Sequence, residues 1–195
     1  FDIALHYRNS ANSAQALANE LCEWRAASCL LFQADLEDHA QLSVLAAELL
    51  AQYSCIDLLV NNASSFAPTP IENCTPAQFD GMLASNLRAP YFLIQGLLPA
   101  LRSGGASVIN IIDVHANRPL RDFNAYGAAK AGLASLTRSL AVELAPDIRV
   151  NGIAPGAILW PEGNESYDQR ARDRLVANTP LQRLGDPTDI ARTVA

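Results

Sequence analysis

Apolar positions along the chain alternate between two periods. Asp2 to Arg8 is a short apolar run that stops at Asn9-Ser10, after which Ala11, Ala14, Leu17, Leu21 and Cys22 recur at helical spacing. Ser28 to Ala34 is a second run, followed by Leu42, Leu45, Ala46, Leu49 and Tyr53 at the same helical period. Ile56 to Asn61 predicts a third strand. A loop rich in Ser, Pro and Asn then leads to a long helix from about Pro76 to Arg102, carrying Phe79, Leu83, Leu87, Ile94, Leu98 and Leu101, which Pro90 should kink or break. Ser107 to Ile112 predicts a fourth strand, Asn124 to Ala145 a helix ended by Pro146, and Ile148 to Ala154 a fifth strand.

Strand and helix thus alternate, and the strands are apolar on both faces, which predicts an α/β fold: a doubly wound, Rossmann-like parallel sheet with helices on both sides. From Pro155 the regularity ends. A polar, Pro-containing stretch with a short helix near Tyr167 to Ala177 leads to Pro187 and a last helix. No repeat or linker divides the chain, so residues 1–195 read as one domain, with 156–186 as a segment that would cover substrate at the open end of the sheet.

Composition narrows the classes. Half of the 195 residues are hydrophobic and 17% are charged, with a net charge of -6. The basic residues are scattered, which argues against nucleic acid as a partner. No apolar stretch approaches the roughly 20 residues of a membrane span. Cys22, Cys29, Cys55 and Cys74 form no C-x-x-C pair, and His6, His39 and His115 lack metal-ligand spacing, so the expectation is reduced thiols, no metal and a cytoplasmic protein. Phe1 opens the chain directly in a strand-like run without a leader.

Tyr126 and Lys130, the only lysine, lie four residues apart in a predicted helix and so project from one face. An ammonium beside a phenol favours phenolate, and the pair is expected to lower the Tyr126 pKa toward working pH for proton transfer. Around this pair, Asn61-Asn62-Ala63-Ser64 closes the third strand, Asp35-Leu36 follows the second, Asn86 lies in the long helix and Pro155-Gly156 follows the fifth strand. In this order the motifs resemble the short-chain dehydrogenase/reductase family over nearly the whole chain. The resemblance implies that Tyr126, Lys130 and the relay residue Asn86 are catalytic, and that Asp35, Leu36, Asn61, Ala63, Tyr126, Lys130, Pro155 and Gly156 meet a nicotinamide dinucleotide.

Where the family carries a catalytic Ser, 13 residues before the Tyr, this chain has Asp113. With Asn61 to Phe66 (NNASSF) and Arg149 to Gly156 (RVNGIAPG), that departure resembles the pteridine reductase branch. The likeness implies a catalytic Asp113, Tyr126 and Lys130, with Ser64 and Phe66 at the substrate. Trp160 is a further candidate substrate contact. A flat heterocycle would stack on Phe66.

The first strand ends His6-Tyr7-Arg8-Asn9-Ser10 with no acid. Since an acid there binds the ribose 2'-hydroxyl of NAD and an Arg accommodates a 2'-phosphate, Arg8 and Ser10, with His6 and Tyr7 beside them, point to NADPH. No G-x-x-x-G-x-G turn occurs in the chain. The expectation is therefore an internal piece of a longer domain, without the first and last strands, whose sheet is interrupted between the first and third visible strands. The expected function is NADPH-dependent reduction of a pterin such as dihydrobiopterin, dihydromonapterin or dihydrofolate. The alternatives are reduction of a carbonyl substrate such as a 3-oxoacyl thioester or sugar, and a non-catalytic dinucleotide-binding scaffold. The family resemblance further implies a homotetramer through the two long helices, where Ala128, Ala129, Ala131, Gly132 and Ala134 would permit close packing.

Overall fold

A computed structural model describes residues 1–160 and 169–195. Five strands, β1 (Ile3–Tyr7), β2 (Cys29–Gln33), β3 (Leu58–Asn61), β4 (Ser107–Ile111) and β5 (Arg149–Ile153), all pair in parallel. They alternate with α1 (Ala11–Trp24), α2 (His39–Gln52), α3 (Pro76–Leu83), α4 (Ala89–Gly104) and α5 (Asn124–Glu143), and the chain ends in α6 (Gln169–Ala177) and α7 (Pro187–Val194). Parallel sheets flanked by helices are the expected α/β class. Each strand is shorter than its apolar run by one or two residues.

The ladders form two sheets, β1 with β2 and β3-β4-β5, with the interruption between β1 and β3. This explains why only β4, which has a neighbour on either side, has a wholly buried centre. The expectation of strands apolar and covered on both faces is corrected for the others: Leu30, Leu58 and Val60 remain partly exposed.

The helices start where side-chain chemistry permits. Asp38 caps α2 by accepting from the amides of Ala40 and Gln41, and Thr75 with Gln78 forms a capping box at α3. The main core joins Leu45, Leu49, Ile94, Leu97, Leu101, Val108 and Ile148. A glycine at 96 lets α4 approach α2, since a Cβ there would lie 2.9 Å from that of Ala46. Burial of these side chains contributes roughly 1.5–3 kcal/mol each.

The expected long helix from Pro76 to Arg102 is three pieces. A π turn over Ala84–Arg88 separates α3 from α4, and the Ala89 amide bonds to the Ala84 carbonyl, five residues back. Pro90 does not break α4 but sits in its first turn, where its missing N–H costs little. The predicted helix near Tyr167 corresponds to α6; Tyr167 itself lies outside the described residues. No helix among the described residues is long and apolar enough to cross a membrane. All four cysteines are free.

Candidate active site

The ends of β4 and β5, the loop after β3 and the start of α5 converge on Tyr126. The loop is tied to α5 because the Thr69 amide donates to the Asp122 carbonyl (2.6 Å) and the Ala125 amide donates to Thr69 Oγ1 (3.1 Å). Asp113 is fixed at the end of β4 by accepting the His115 amide (2.8 Å) on Oδ1. Its other oxygen accepts a 2.6 Å hydrogen bond from the Tyr126 hydroxyl. Lys130 stands one turn along α5, is 3% exposed, donates to the Ile111 carbonyl (2.9 Å), and lies 5.7 Å from the Tyr126 ring centroid.

This geometry corrects the expected phenol chemistry. Tyr126 is pushed far up, first by burial, then by donating its proton to Asp113, then by the Asp113 charge. Burial pushes Lys130 down to about 8, with the Asp113 charge opposing. Burial and the carboxylate in direct contact together hold the phenol protonated. A buried phenol in this state can give a proton to a substrate atom and recover one from its surroundings.

Asn86 occupies the π turn and is 1% exposed. Its Nδ2 donates to the carbonyls of Ser65 (2.9 Å) and Met82 (3.1 Å), while Oδ1 is the only buried side-chain N or O among the described residues without a partner. Such an orphan acceptor suits a water or a ligand hydroxyl. π turns concentrate at functional sites because they redirect backbone and side-chain groups within a helix. A glycine at 132 lets α5 close on this turn: a Cβ there would come 2.9 Å from Leu87 Cδ2.

Two cavities open around these groups. One of about 840 Å3 has Asp113, Tyr126, Phe66, Gly156 and Trp160 in its wall, and Arg118 at its side. The other, of about 500 Å3, is lined by His6, Arg8, Asp35 and Leu36 at the strand ends, by Ala63 and Ser64, and by α3.

Several expected contacts are otherwise engaged. Asn61 is buried and its Nδ2 donates to Asn110 Oδ1 (2.8 Å), and Asn110 in turn donates to Thr137 Oγ1 (2.9 Å), so the Asn61 side chain staples β3 to β4. Phe66 stacks on Phe123, with centroids 4.3 Å apart, and meets Tyr126 edge-on at 4.9 Å, so one of its faces is taken by protein. His6 Nε2 bonds to the Ala34 carbonyl (2.9 Å). Arg8 donates to Asp35 (3.4 Å) and Glu37 (3.0 Å) rather than standing free. Tyr7 and Ser10 line neither cavity, Ser10 making no side-chain cap of α1. The Pro155 carbonyl accepts the Val114 amide (3.1 Å), which holds the turn before Gly156.

Sequence reasoning missed Asn110, Thr137, Phe123, Glu37 and Ser65. Only Asn110 left a signal, as a polar residue inside the apolar run SVINII.

A family model described as "Enoyl-(Acyl carrier protein) reductase" matches residues 1–195. The chain belongs to the short-chain dehydrogenase/reductase family. Among the relatives of this reductase-family chain are Protein FixR of Bradyrhizobium diazoefficiens, 37% identical over 191 residues (92% of this chain, 67% of FixR), and an uncharacterized oxidoreductase of Mycobacterium tuberculosis, 36% identical (81% and 61%). A 3-oxoacyl-(acyl-carrier-protein) reductase FabG of Staphylococcus epidermidis is 29% identical over the whole chain and 80% of its own length. The chain therefore spans about two thirds of the first two relatives.

Members of this dehydrogenase/reductase family bind a nicotinamide dinucleotide. The cavity at the strand ends, with Asp35, Leu36 and Ala63, fits the adenosine end of that group. The orphan Asn86 Oδ1 and the buried phenol and ammonium fit the chemistry of the nicotinamide end. The chain contains no glycine-rich turn for the pyrophosphate.

Proposed function

We propose that this domain serves an NADPH-dependent reductase of a carbonyl substrate, of the 3-oxoacyl thioester or sugar type. The observation that carries the proton-donor role of Tyr126 is its 2.6 Å bond to Asp113, which with burial keeps the phenol protonated. Likeness to FabG over the whole chain supports the carbonyl class. The cofactor, when bound, supplies hydride.

The protein's own residues do the rest. The Tyr126 hydroxyl turns from Asp113 to the substrate oxygen and protonates it. Asp113, negative and adjacent, disfavours charge lingering on that oxygen, so the proton must move together with the hydride. Lys130, moving toward the ammonium form, holds a ribose hydroxyl and feeds the proton path that Asn86 Oδ1 completes through water. Arg8, freed from its carboxylates, meets the 2'-phosphate. Ala128 and Ala131, exposed on α5, suit close approach of a second copy in a homotetramer.

Reduction of a pterin is the second reading, favoured by Asp113 itself, since a carboxylate can accept from or relay protons to ring nitrogens where a carbonyl oxygen would be repelled. The test is NADPH oxidation by the complete protein with an acetoacetyl thioester, dihydrobiopterin and dihydrofolate, in the wild type and in Asp113→Ser. Thioester turnover that survives or improves in Asp113→Ser supports the carbonyl reading. Pterin turnover that Asp113→Ser abolishes replaces it with the second, and no turnover of any substrate refutes both.

A further inference from the structure

The smaller cavity contains two residues, Glu37 and Ser65, to which the proposed chemistry gives no role. Glu37 follows β2 in the stretch Ala34-Asp35-Leu36-Glu37, and its backbone is held at both ends: its amide donates to Asp35 Oδ1 (3.0 Å), and its carbonyl accepts from Arg88 Nη2 (2.6 Å). Its side chain lines the cavity. One oxygen, Oε1, accepts both from Arg8 Nη1 (3.0 Å) and from Ser65 Oγ (2.9 Å), the latter in the loop after β3. Asp35 Oδ1 accepts from the same Arg8 nitrogen at 3.4 Å.

Two carboxylates thus surround one guanidinium, and the group that would attract a phosphate sits in a net negative surrounding. Of the two, Asp35 uses the same oxygen, Oδ1, to accept the Glu37 amide (3.0 Å). Glu37 makes the shorter contact with Arg8 and is the one whose release is coupled to another element, because the Ser65 that anchors it also accepts, through its carbonyl, the Nδ2 of Asn86 (2.9 Å).

We propose that Glu37 is a latch on Arg8: a cofactor 2'-phosphate must displace it, so Glu37, braced by Ser65, sets how strongly this domain distinguishes phosphorylated from unphosphorylated dinucleotide. The inference rests on the NADPH reading of Arg8 and names the residue that works against it. The latch keeps Arg8 satisfied when no phosphate is present. It also makes the energy of phosphate binding a difference between two pairings of the same guanidinium rather than the full value of one.

The experiment uses adenosine 2'-monophosphate and adenosine 5'-monophosphate as probes, because they report on the adenosine end without hydride transfer. Binding is measured by calorimetry in the complete wild-type protein, Glu37→Gln, Ser65→Ala and Arg8→Gln. Glu37→Gln removes the competing charge and keeps the shape, and is expected to bind the 2'-phosphate probe about five- to tenfold more tightly, with the 5'-phosphate probe unchanged. Ser65→Ala removes the brace without altering any charge and shifts the same probe in the same direction by a smaller factor.

If Glu37→Gln leaves 2'-phosphate affinity unchanged while Arg8→Gln abolishes it, the latch is refuted and the NADPH reading survives. If the wild type and Glu37→Gln both prefer neither probe and Arg8→Gln changes nothing, the NADPH reading fails and the latch with it. A gain in Glu37→Gln with none in Ser65→Ala overturns the bracing role of the loop.

Discussion

Replacing Asp113 by Asn tests the central feature of the site. The amide has nearly the shape of the carboxylate, and Asn Oδ1 can still accept the His115 amide. Its Nδ2 then faces the Tyr126 oxygen as a donor, so the bond that held the phenol proton reverses and now favours phenolate. A hydrogen bond to a charged group contributes roughly 1.5–3 kcal/mol net, and one pKa unit corresponds to about 1.4 kcal/mol. The Tyr126 pKa should therefore fall, while burial, the largest of its upward causes, stays. The assay is near-ultraviolet absorbance of phenolate during a pH titration, with Tyr126→Phe as the blank for the other four of the five tyrosines. In the wild type, Tyr126 should add no phenolate while exposed tyrosines titrate near pH ~10; in Asp113→Asn it should begin to. Superimposable titrations of the wild type and Asp113→Asn would show that the carboxylate does not hold the proton, and the argument for Tyr126 as proton donor would go with it.

Three further outcomes follow from the same geometry. Tyr126→Phe should lower kcat by roughly 10²- to 10⁴-fold, the usual loss for a general acid, with dinucleotide affinity within a small factor of wild type; a near-normal rate would remove the phenol from the reaction. Lys130, depressed to about 8 from 10.5, is bare in the folded state where the unfolded chain still binds its proton, so stability should rise with pH between those values, by about 3 kcal/mol at most. Tyr126, raised, acts in the opposite sense above its ordinary 10.0. Urea unfolding of the wild type and Lys130→Met should differ in slope over that window, and parallel curves would contradict the burial argument. Asn110→Ala strips the partner from the buried Asn61 amide and opens a gap in β4, which should cost about 2–4 kcal/mol in denaturant melts; a loss below half a kcal/mol would mean that water replaces the bond.

The elements were legible because each strand is a short apolar run and each helix an amphipathic period, both local properties. Tyr126 and Lys130 were legible for the same reason: four residues along a helix fix their relation. What stayed hidden depends on encounters between distant segments. Arg8 reads as a free cation until β2 brings Asp35 and Glu37 beside it, and Phe66 reads as a free platform until the Thr69 anchor lays it on Phe123. The net shift of Tyr126 runs opposite to the expectation because spacing reveals the ammonium four residues away but neither the burial of the phenol nor the carboxylate in contact with it. Nothing in the residue types of Ala84 to Arg88 announces a π turn beyond the proline that follows.

That turn has a mechanical consequence. A helix running unbroken from Pro76 to Gly104 would be a stiff shaft, turning as a unit. The extra residue in the π turn resets the facing, so Met82 before it packs with Ala125 and Tyr126, while Leu93, Ile94 and Leu97 after it pack into the main core. The joint lets one continuous run of chain serve two separate packing surfaces. Because Asn86 sits inside the joint itself, a change in packing around α4 reaches it before it reaches α3.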